Sequence, residues 1–506
     1  RKEPFTPLDP AGEKVGFYYC GPTVYDSLHL GHARAFIVPD MVRRYLEHKG
    51  YVVRYVTNFT DVDDKIIKRA IREHRPWREI TVTYMEEYHR LAAAVNNRPV
   101  DVHPRATDHI PEMLDLISIL IEKGNAYQAS SGDVYFDTAS FDGYLALSGR
   151  RLEDQETGRS GRLSDRELEV KKHPADFILW KLLVNDPQEF LDHPDEVPGW
   201  DSPWGRGRPG WHLECSAMSK TYLGMPFDIH GGGRDLLFPH HENERAQNEC
   251  AYRDELGGEN SVRYWVHNGF ITVDVANEAE KGDEYTDGDQ SKMSKSLGNV
   301  KWLKDMIWPG GPFDPMAVRM LMLQSHYRSP LRYSPDLLDQ ANQRMERLYR
   351  AMEHLLEGEG EGGEGSAADP GAASPEALAA VESATAAFER GMDDDFNTPK
   401  ALAALDELIN VSRGLLSQAQ PLADADRLVL ARGLERLAGV LGLRARRLGS
   451  AQQESAEDGL LQLLGEMRQE ARASRDWARA DQIRDRLDAL GFEFRDSPEG
   501  FTVARR

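Results

Sequence analysis

The sequence predicts an α/β protein: a parallel-sheet domain with an insertion, then a helical region and a small C-terminal α+β unit. Three observations favour this fold. Residues 16–56 show a strand, helix, strand pattern, the pattern changes between residues 111 and 206, and helical periodicity dominates from about residue 335. A chain of 506 residues is long enough for about three domains.

The N-terminal segment supplies the strand, helix, strand unit. Residues 16–20 are a short apolar run that predicts a strand, and a turn follows. A helix is predicted over residues 32–48 and a second strand over residues 51–56, a unit typical of a parallel sheet. We expect Pro39 to kink the helix or mark a break in it. The helical spacing rests on Phe36, Val38, Met41 and Leu46.

The rest of the chain divides by composition. Residues 111–206 mix hairpin-like pieces with charged segments, which indicates an insertion, and the α/β pattern resumes near residue 207. Residues 275–290 are acidic and rich in turn residues; they form either a mobile flap or, as composition favours, an exposed surface insertion. The Gly, Glu, Ala and Pro tract at 357–374 predicts a flexible loop, and a linker is expected near 449–457.

Composition limits the classes of function. No apolar stretch is long enough to span a membrane, the first residues lack the apolar core of a signal peptide, and only three cysteines are present. We therefore expect a cytoplasmic protein without a disulfide framework. The net charge of −22 argues against a general nucleic-acid binder, although a local basic surface would remain compatible with one. A high-salt cytoplasm is one hypothesis for this charge, and a fold and activity indifferent to salt would remove it.

A histidine motif lies between the first strand and the first helix. Its residues are His29, Leu30, Gly31 and His32. The imidazoles can donate to phosphate oxygens, Gly31 permits close approach of a nucleotide, and the helix N-terminus attracts anions. The alternative is two ordinary histidines in a turn.

A second motif contains two lysines three residues apart, Lys292 and Lys295, in the run Lys-Met-Ser-Lys-Ser. Such a loop can close on a polyphosphate and stabilise charge that develops in the transition state, whereas an isolated loop of this kind is usually only solvated. In this order and on an α/β sheet, the two motifs resemble the two signatures of class I aminoacyl-tRNA synthetases.

Two cysteines, a histidine and a glutamate are candidate metal ligands. Cys20 ends the first strand, Cys215 lies far along the chain, and His240 and Glu244 are four residues apart, on one helical face. Two thiolates, an imidazole and a carboxylate would make a four-ligand zinc site. Spacing alone favours two buried cysteines and an unrelated surface helix, because the fold would have to assemble the site.

Four separated segments carry a wider resemblance: Cys-Gly-Pro-Thr-Val-Tyr-Asp (20–26), Asn-Phe-Thr-Asp-Val-Asp-Asp-Lys (58–65), Gly-Trp-His-Leu-Glu-Cys-Ser-Ala-Met (210–218) and Phe-Pro-His-His-Glu-Asn-Glu (238–244). They resemble the cysteinyl-tRNA synthetase family, and the likeness runs from about residue 15 to 503. In that family the positions matching Cys20, Cys215, His240 and Glu244 hold one zinc ion per chain at the bottom of the amino-acid pocket. Cys250 matches no ligand of the family and is expected in the core.

The resemblance also assigns a substrate pocket. Thr60 and Trp211 match positions that shape the amino-acid pocket; without the resemblance each is a core or turn residue. The run Gly-Gly-Gly-Arg-Asp at 231–235 looks like a nucleoside-binding turn, in which glycine permits close approach and the aspartate can accept from a ribose hydroxyl. The residues expected to bind ATP are Gly31, His230, Gly233 and Asp235.

The resemblance implies a reaction through a cysteinyl adenylate. His29 and His32 would hold the phosphates of ATP, Lys292 and Lys295 would neutralise the leaving pyrophosphate, and Mg²⁺ would accompany ATP. Binding and charge stabilisation are then sufficient, without a covalent enzyme intermediate.

The C-terminal part resembles the tRNA-binding end of the family. Residues 392–410 resemble its helical bundle, and residues 471–485, which are locally basic, resemble its anticodon-binding end. An aromatic ring can stack on a splayed base and an aspartate can accept from its exocyclic amine; the alternative is an amphipathic helix with a core tryptophan. The positions that match anticodon contacts are Arg472, Trp477, Asp481 and Asp496.

The resemblance implies a Rossmann-like catalytic domain, a helical bundle and a small α+β anticodon-binding domain. The expected boundaries are 1–110 and 207–291 for the two catalytic halves, 111–206 for the connective insertion, 292–335 for the lysine loop and stem-contact region, 336–450 for the helical bundle and 451–506 for the anticodon-binding domain.

The expected partners are tRNA(Cys), ATP and L-cysteine, with no membrane, and the chain is expected to be a monomer. Two alternatives remain. One is the related cysteine ligase of mycothiol synthesis, which joins cysteine to an amino-sugar and lacks a full anticodon-binding end. The other is a non-catalytic RNA-binding or zinc-stabilised protein derived from a synthetase. Cysteine-dependent ATP–pyrophosphate exchange separates enzyme from binder, and charging of a tRNA transcript separates the two enzymes.

Overall fold

The chain forms two compact units, Arg1–Ala445 and Arg446–Arg506. The computed structural model describes residues 3–150, 170–273, 300–307, 312–356, 373–445, 464, 467–468, 471–472, 476–489, 492–497 and 500–505. The acidic run 275–290 and the lysine motif lie outside these described residues, as does most of the tract 357–374. None of the described helices is long and apolar enough to cross a membrane.

The sheet-containing part of the first unit holds strands β1 to β10 and helices α1 to α10. In chain order they are β1 (Lys14–Tyr19), α1 (Leu30–His48), β2 (Val52–Thr57), α2 (Asp64–Glu73), α3 (Trp77–Ala94), α4 (Ile110–Glu122), β3 (Ala126–Gln128), β4 (Val134–Phe136), β5 (Phe177–Leu182), α5 (Gln188–Leu191), β6 (Gly207–Pro209), α6 (Trp211–Leu223), β7 (Phe227–Gly233), α7 (Glu242–Ala251), α8 (Arg253–Leu256), β8 (Val262–Asn268), β9 (Ile271–Val273), α9 (Leu303–Ile307), α10 (Pro315–Leu323) and β10 (Leu331–Tyr333).

The central sheet is parallel, as the strand, helix, strand pattern predicts. Its order is β2-β1-β7-β8, and all three pairings are parallel. Side chains of β1 alternate between two cores: Phe17 and Tyr19 pack in one cluster, Tyr18 in the other. Both faces are therefore covered, which is the usual condition for a parallel sheet. Strand β1 has β2 on one side and β7 on the other, so the connections from β1 and from β7 diverge. A crevice is therefore expected at the carboxyl ends of these two strands.

Helix α1 runs from Leu30 to His48 with Pro39 inside it. The break that we considered at Pro39 does not occur, and that alternative was wrong. Proline removes one backbone donor from the helix. Ile37, Met41 and Val42 are buried on the surrounding turns, and this packing holds the helix continuous past the proline.

A second sheet lies in the predicted insertion. Strands β3, β4, β5 and β6 pair in that order, all antiparallel, and β6 lies just beyond the expected boundary at residue 206. Trp180 of β5 is fully buried in the same core cluster as Tyr18 of β1. The insertion therefore packs on one face of the central sheet.

Among the described residues, four helices complete the first unit. Ser374 caps the second of them, accepting a hydrogen bond from the backbone of Ala377, and Pro375 occupies its first turn. Leu348, Phe388, Leu405 and Leu434 are buried in the core cluster that also covers one face of the sheet. The helices are α11 (Pro335–Leu356), α12 (Pro375–Asp393), α13 (Thr398–Leu416) and α14 (Asp424–Val440).

The second unit contains a helix and a hairpin among its described residues. Helix α15 spans Trp477–Ala489, and strands β11 (Phe492–Ser497) and β12 (Gly500–Arg505) pair antiparallel. This unit is therefore α+β, as predicted.

Candidate active site

The four candidate metal ligands meet at the carboxyl end of the central sheet. Cys20 directly follows β1, and its backbone N–H donates to the carbonyl of Gly231 in β7 (2.9 Å). Cys215 lies on α6 and Glu244 on α7, while His240 belongs to the irregular segment that leads into α7. The fold thus brings together Cys20 and Cys215, which are 195 positions apart in the sequence.

The geometry of these four side chains fits a tetrahedral zinc ion. Their donor atoms all lie within 4.8 Å of one another, and all four residues are buried. The two sulfur atoms are 3.6 Å apart, Cys20 Sγ is 3.6 Å from Glu244 Oε1, and His240 Nε2 is 3.0 Å from the same oxygen. A tetrahedral zinc with metal–sulfur bonds of about 2.3 Å would place its two sulfurs about 3.8 Å apart.

The electrostatics of the cluster favour metal-binding protonation states for Cys215 and Glu244. Burial opposes ionisation of Glu244, but His230 and His240 outweigh it and hold the pKa of this carboxyl well below its usual value. Burial likewise opposes ionisation of Cys215, yet hydrogen bonds from Cys20 and His240 bring the pKa of its thiol to about 6. Burial and the neighbouring Cys215 raise the pKa of Cys20 well above its ordinary value. A cation would remove that penalty, since thiolate is the form that binds metals.

A group of histidines surrounds the cluster, and sequence reasoning did not place them there. His230 Nε2 lies 2.8 Å from Glu244 Oε2, and His241 Nε2 lies 3.4 Å from Cys20 Sγ. Cys20, His230, His241 and Glu244 even form a second geometrically possible ligand set. The available signal was the position of histidines near the ends of neighbouring buried strands, β7 and β8, where His230 and His267 lie.

His230 was assigned to ATP binding by resemblance. In the structure its ring has no exposed surface and contacts the Glu244 carboxylate. The ring therefore contacts one of the candidate ligands and can hold its carboxylate in place.

The two residues assigned to the amino-acid pocket lie close to the cluster. Thr60 is buried and its hydroxyl donates to Glu214 on α6 (2.9 Å), next to Cys215. The ring of Trp211 is 39% exposed and its centroid is 4.3 Å from that of His240. An exposed aromatic surface thus lies directly beside the candidate ligands.

The histidine motif forms the start of α1. His29 is the residue before the helix, and its backbone N–H donates to Nδ1 of His32 (3.1 Å). The two rings stack with centroids 3.8 Å apart. A Cβ atom on Gly31 would come within 2.8 Å of the His29 ring, so glycine is required for this arrangement.

The glycine run 231–235 lies at the carboxyl end of β7. A Cβ on Gly231 would come within 2.6 Å of the Tyr19 ring, and one on Gly233 within 2.5 Å of Asp235 Oδ1. Asp235 itself is exposed in the turn that follows the strand. The turn therefore offers glycine backbone and an exposed carboxylate at the sheet edge.

The lysines of the second motif lie outside the described residues, which resume at residue 300. The backbone of Leu30 donates to Lys301 (2.9 Å), and that of Leu303 donates to Leu28 (2.9 Å). The chain leaving the lysine motif therefore runs antiparallel beside the histidine motif.

The second unit carries the residues assigned to the anticodon. Trp477 begins α15 and is 57% exposed, and Asp481, one turn later, is exposed and pairs with Arg484 (3.1 Å). Arg472 is exposed, and Asp496 lies in β11. Within its own unit, the exposure of Trp477 contradicts the alternative of a core tryptophan.

Comparison with known proteins places these features in a family. The family model described as tRNA synthetases class I (C) catalytic domain matches residues 6–343, and a DALR domain model matches residues 387–446. A cysteine–tRNA ligase of Heliobacterium modesticaldum is 44% identical over 99% of this chain and 96% of its own length. The chain belongs to the cysteine–tRNA ligase family. A cysteine–tRNA ligase of Magnetococcus marinus is 42% identical over 100% of this chain and 96% of the relative.

Solved structures support the fold of this family member. A methionyl-tRNA synthetase of Mycobacterium tuberculosis in complex with methionyl-adenylate has a TM-score of 0.53 at 16% identity and covers 85% of this chain and 89% of that one. The LeuRS–tRNA–LeuAMS complex of Agrobacterium radiobacter K84 has a TM-score of 0.58 at 12% identity, covering 87% and 85%. At such identities the likeness concerns the fold alone.

Proposed function

We propose that this chain ligates L-cysteine to the 3′ end of tRNA(Cys) through a cysteinyl adenylate, and that a zinc ion selects the cysteine thiolate. The observation that carries the proposal is the buried four-donor cluster of Cys20, Cys215, His240 and Glu244, within a chain of the cysteine–tRNA ligase family. The exposed ring of Trp211 beside His240 supports an amino-acid pocket that opens onto this cluster.

The arrangement at the sheet edge supports adenylate formation as the first step. A carboxylate oxygen of cysteine attacks the α-phosphorus of ATP, and the bond from that phosphorus to the bridging oxygen breaks to release pyrophosphate. We assign the phosphate oxygens to His29, His32 and the N-terminus of α1, and the position of both rings at the start of this helix supports that assignment. We assign Lys292 and Lys295 to the leaving pyrophosphate, with Mg²⁺ bound to ATP, and Gly233 and Asp235 to the nucleoside.

Transfer to tRNA completes the reaction. A hydroxyl of the 3′-terminal adenosine attacks the carbonyl carbon of the adenylate, and AMP leaves. We assign the helical bundle and the C-terminal unit to tRNA, with Arg472, Trp477, Asp481 and Asp496 at the anticodon. The exposed indole of Trp477 supports this assignment, because it could stack on an unpaired base.

Selection of cysteine over serine is the chemical purpose of the cluster. The two amino acids are close isosteres, and a pocket that reads shape alone separates such pairs weakly. Bound zinc supplies a soft Lewis acid that prefers a thiolate to a hydroxyl. Each 1.4 kcal/mol of that preference gives about tenfold discrimination, so several kcal/mol would make editing unnecessary.

Two assays test the proposed reaction. The first is ATP–pyrophosphate exchange with cysteine and with serine, in which cysteine alone should support exchange. The second is charging of a tRNA(Cys) transcript. Exchange without charging, but with ligation to an amino-sugar, would instead identify the mycothiol-type ligase, and absence of exchange would leave a binding protein.

Cobalt substitution tests thiolate selection directly. Addition of cysteine to the cobalt-loaded protein should produce a thiolate-to-metal charge-transfer band, while serine should not. Direct coordination is wrong if cysteine leaves the spectrum unchanged although exchange activity is present.

A further inference from the structure

The histidine loop, defined as residues 27–30, is fixed on one side by a carboxylate of α3. Glu87 Oε1 accepts a hydrogen bond from the backbone N–H of Leu28 (3.0 Å). Glu87 Oε2 accepts from the hydroxyl of Ser27 (3.1 Å). One carboxylate therefore binds two consecutive residues immediately before His29.

The opposite side of the loop contacts the chain that follows the lysine motif. Lys304, in the first turn of α9, donates from Nζ to the hydroxyl of Ser27 (2.8 Å). Next to it run the two backbone hydrogen bonds that join Leu28 and Leu30 to Leu303 and Lys301. The Lys304 side chain thus adds a hydrogen bond between the histidine loop and the segment that follows the lysine motif.

Ser27 connects the two charged groups. A hydroxyl can donate one hydrogen bond and accept others, so Ser27 accepts from the Lys304 ammonium and donates to the Glu87 carboxylate. Ser27 is only 5% exposed, and hydrogen bonds to charged groups are stronger than neutral ones. The three side chains form a continuous link from α9 to α3 across the histidine loop.

We propose that Lys304 and Glu87 are positioning residues that act through Ser27 to hold His29, and the entry of the chain from the lysine motif, in register with the phosphates of ATP. Neither residue needs to touch the substrate. Because a displacement of about 1 Å can cost on the order of a hundredfold in rate, a link that fixes the loop matters for the chemical step. The catalytic part of this proposal rests on the proposed function.

The test compares variants of the full-length chain in cysteine-dependent ATP–pyrophosphate exchange. For Lys304→Met, Ser27→Ala and Glu87→Gln we expect kcat to fall on the order of tenfold to a hundredfold, while KM for cysteine stays within about twofold of wild type. Lys304→Arg should restore most of the rate, because it keeps the charge and a donor. Lys68→Met, which removes an exposed lysine from α2, is the charge-matched control and should behave as wild type.

A second measurement separates failure of this proposal from failure of the proposed function. Hydrogen exchange at the amides of Leu28 and Leu30 needs no catalysis, and it should be faster in Lys304→Met and Ser27→Ala than in wild type and Lys68→Met. Faster exchange there supports the link even if wild type shows no cysteine-dependent activity. Unchanged amide exchange overturns the proposal, and so does a uniform loss of kcat and of thermal stability that Lys304→Arg does not rescue.

Discussion

At the scale of single residues, burial decides what the histidines near Cys20 can do. His230 has no exposed surface, and its ring nitrogens lie within hydrogen-bond distance of the Glu244 carboxylate and the backbone carbonyl of Tyr18. A histidine that hydrogen-bonds to a candidate ligand carboxylate can hold that carboxylate in the orientation for a metal ion. The buried imidazole contacts Glu244, and the ATP-binding role that the resemblance implies for His230 stays a prediction.

The first prediction concerns His230→Phe, which keeps an aromatic ring but removes the hydrogen bond to Glu244. Zinc affinity should fall by about tenfold to a hundredfold, since the ligand loses its orienting partner. Competition with a chromogenic chelator measures this. Cys250→Ala, which removes a buried thiol outside the ligand cluster, is the matched control. Equal affinities in wild type and His230→Phe would remove the orienting role.

The second prediction concerns pH. Burial and the neighbouring His89 lower the pKa of His103 from 6.5 to about 3, and its ring stacks on Phe59 at 3.8 Å. Between these pKa values the unfolded chain binds the extra proton and the folded chain does not, so stability is full above pH 6.5 and is lost as pH falls towards 3. At pH 5 the loss should be about 2 kcal/mol.

His103→Phe isolates that effect. The variant keeps a ring against Phe59 but has no proton to bind, so its free energy of unfolding should lack this part of the acid dependence. Urea unfolding at pH 7.5 and pH 5 measures the difference between the two proteins. If wild type and variant lose equal stability over this interval, His103 is not the group that titrates.

At the scale of elements, the N-terminus of α1 depends on a residue without a side chain. A Cβ atom on Gly31 would lie 2.8 Å from the His29 ring. Gly31 is in the first turn of α1, whose start is the candidate phosphate site. Helix propensity alone would favour alanine at this position. The requirement for glycine therefore comes from the stacked histidines and not from the helix.

The third prediction follows from that conflict. Gly31→Ala should push the His29 ring away and lower the rate of ATP–pyrophosphate exchange on the order of tenfold to a hundredfold, with little loss of stability. Gly414→Ala in α13 is the control, because a Cβ there meets nothing within 4 Å. A Gly31→Ala enzyme with wild-type exchange kinetics would show that the position of His29 is unimportant.

At the scale of the whole first unit, one buried arginine joins the sheet domain to the helical bundle. Arg319 of α10 is fully buried and binds the carboxylate of Asp40 in α1 and the carbonyls of Val95 (3.0 Å) and Leu441 (2.8 Å). Burial opposes ionisation of Asp40, but Arg319 and Arg44 hold its pKa below the ordinary value. The ion pair therefore stays charged through the neutral range.

The fourth prediction is that Arg319→Met destabilises the protein by about 3–5 kcal/mol, because it leaves a buried carboxylate and two carbonyls with fewer partners. Chemical denaturation at neutral pH measures the change. Arg347→Met, at an exposed position of α11, should change stability by less than about 0.5 kcal/mol. Similar stability of the two variants would mean that water or neighbouring groups replace the arginine.

Local patterns sufficed for the elements and for the motifs. The strand, helix, strand pattern of residues 16–56 predicted the parallel sheet, because secondary structure follows from patterns within a few residues. The histidine motif at His29 and His32 was visible for the same reason: its members are neighbours in the chain. The resemblance to a known family then predicted that Cys20 and Cys215 are metal ligands, whereas their spacing alone favoured two unrelated buried cysteines.

Only the tertiary structure determines which residues distant in the sequence come into contact. Periodicity carries no information on which strand lies beside β1, and that neighbour, β7, is what places His230 and Gly231 next to Cys20. The same holds for Pro39, where packing on both sides of α1 outweighs one missing donor, and for Lys304, whose contact with Ser27 spans 277 positions. Side chains so far apart meet because the buried sheet fixes both of their backbones, and no local sequence pattern encodes that distance.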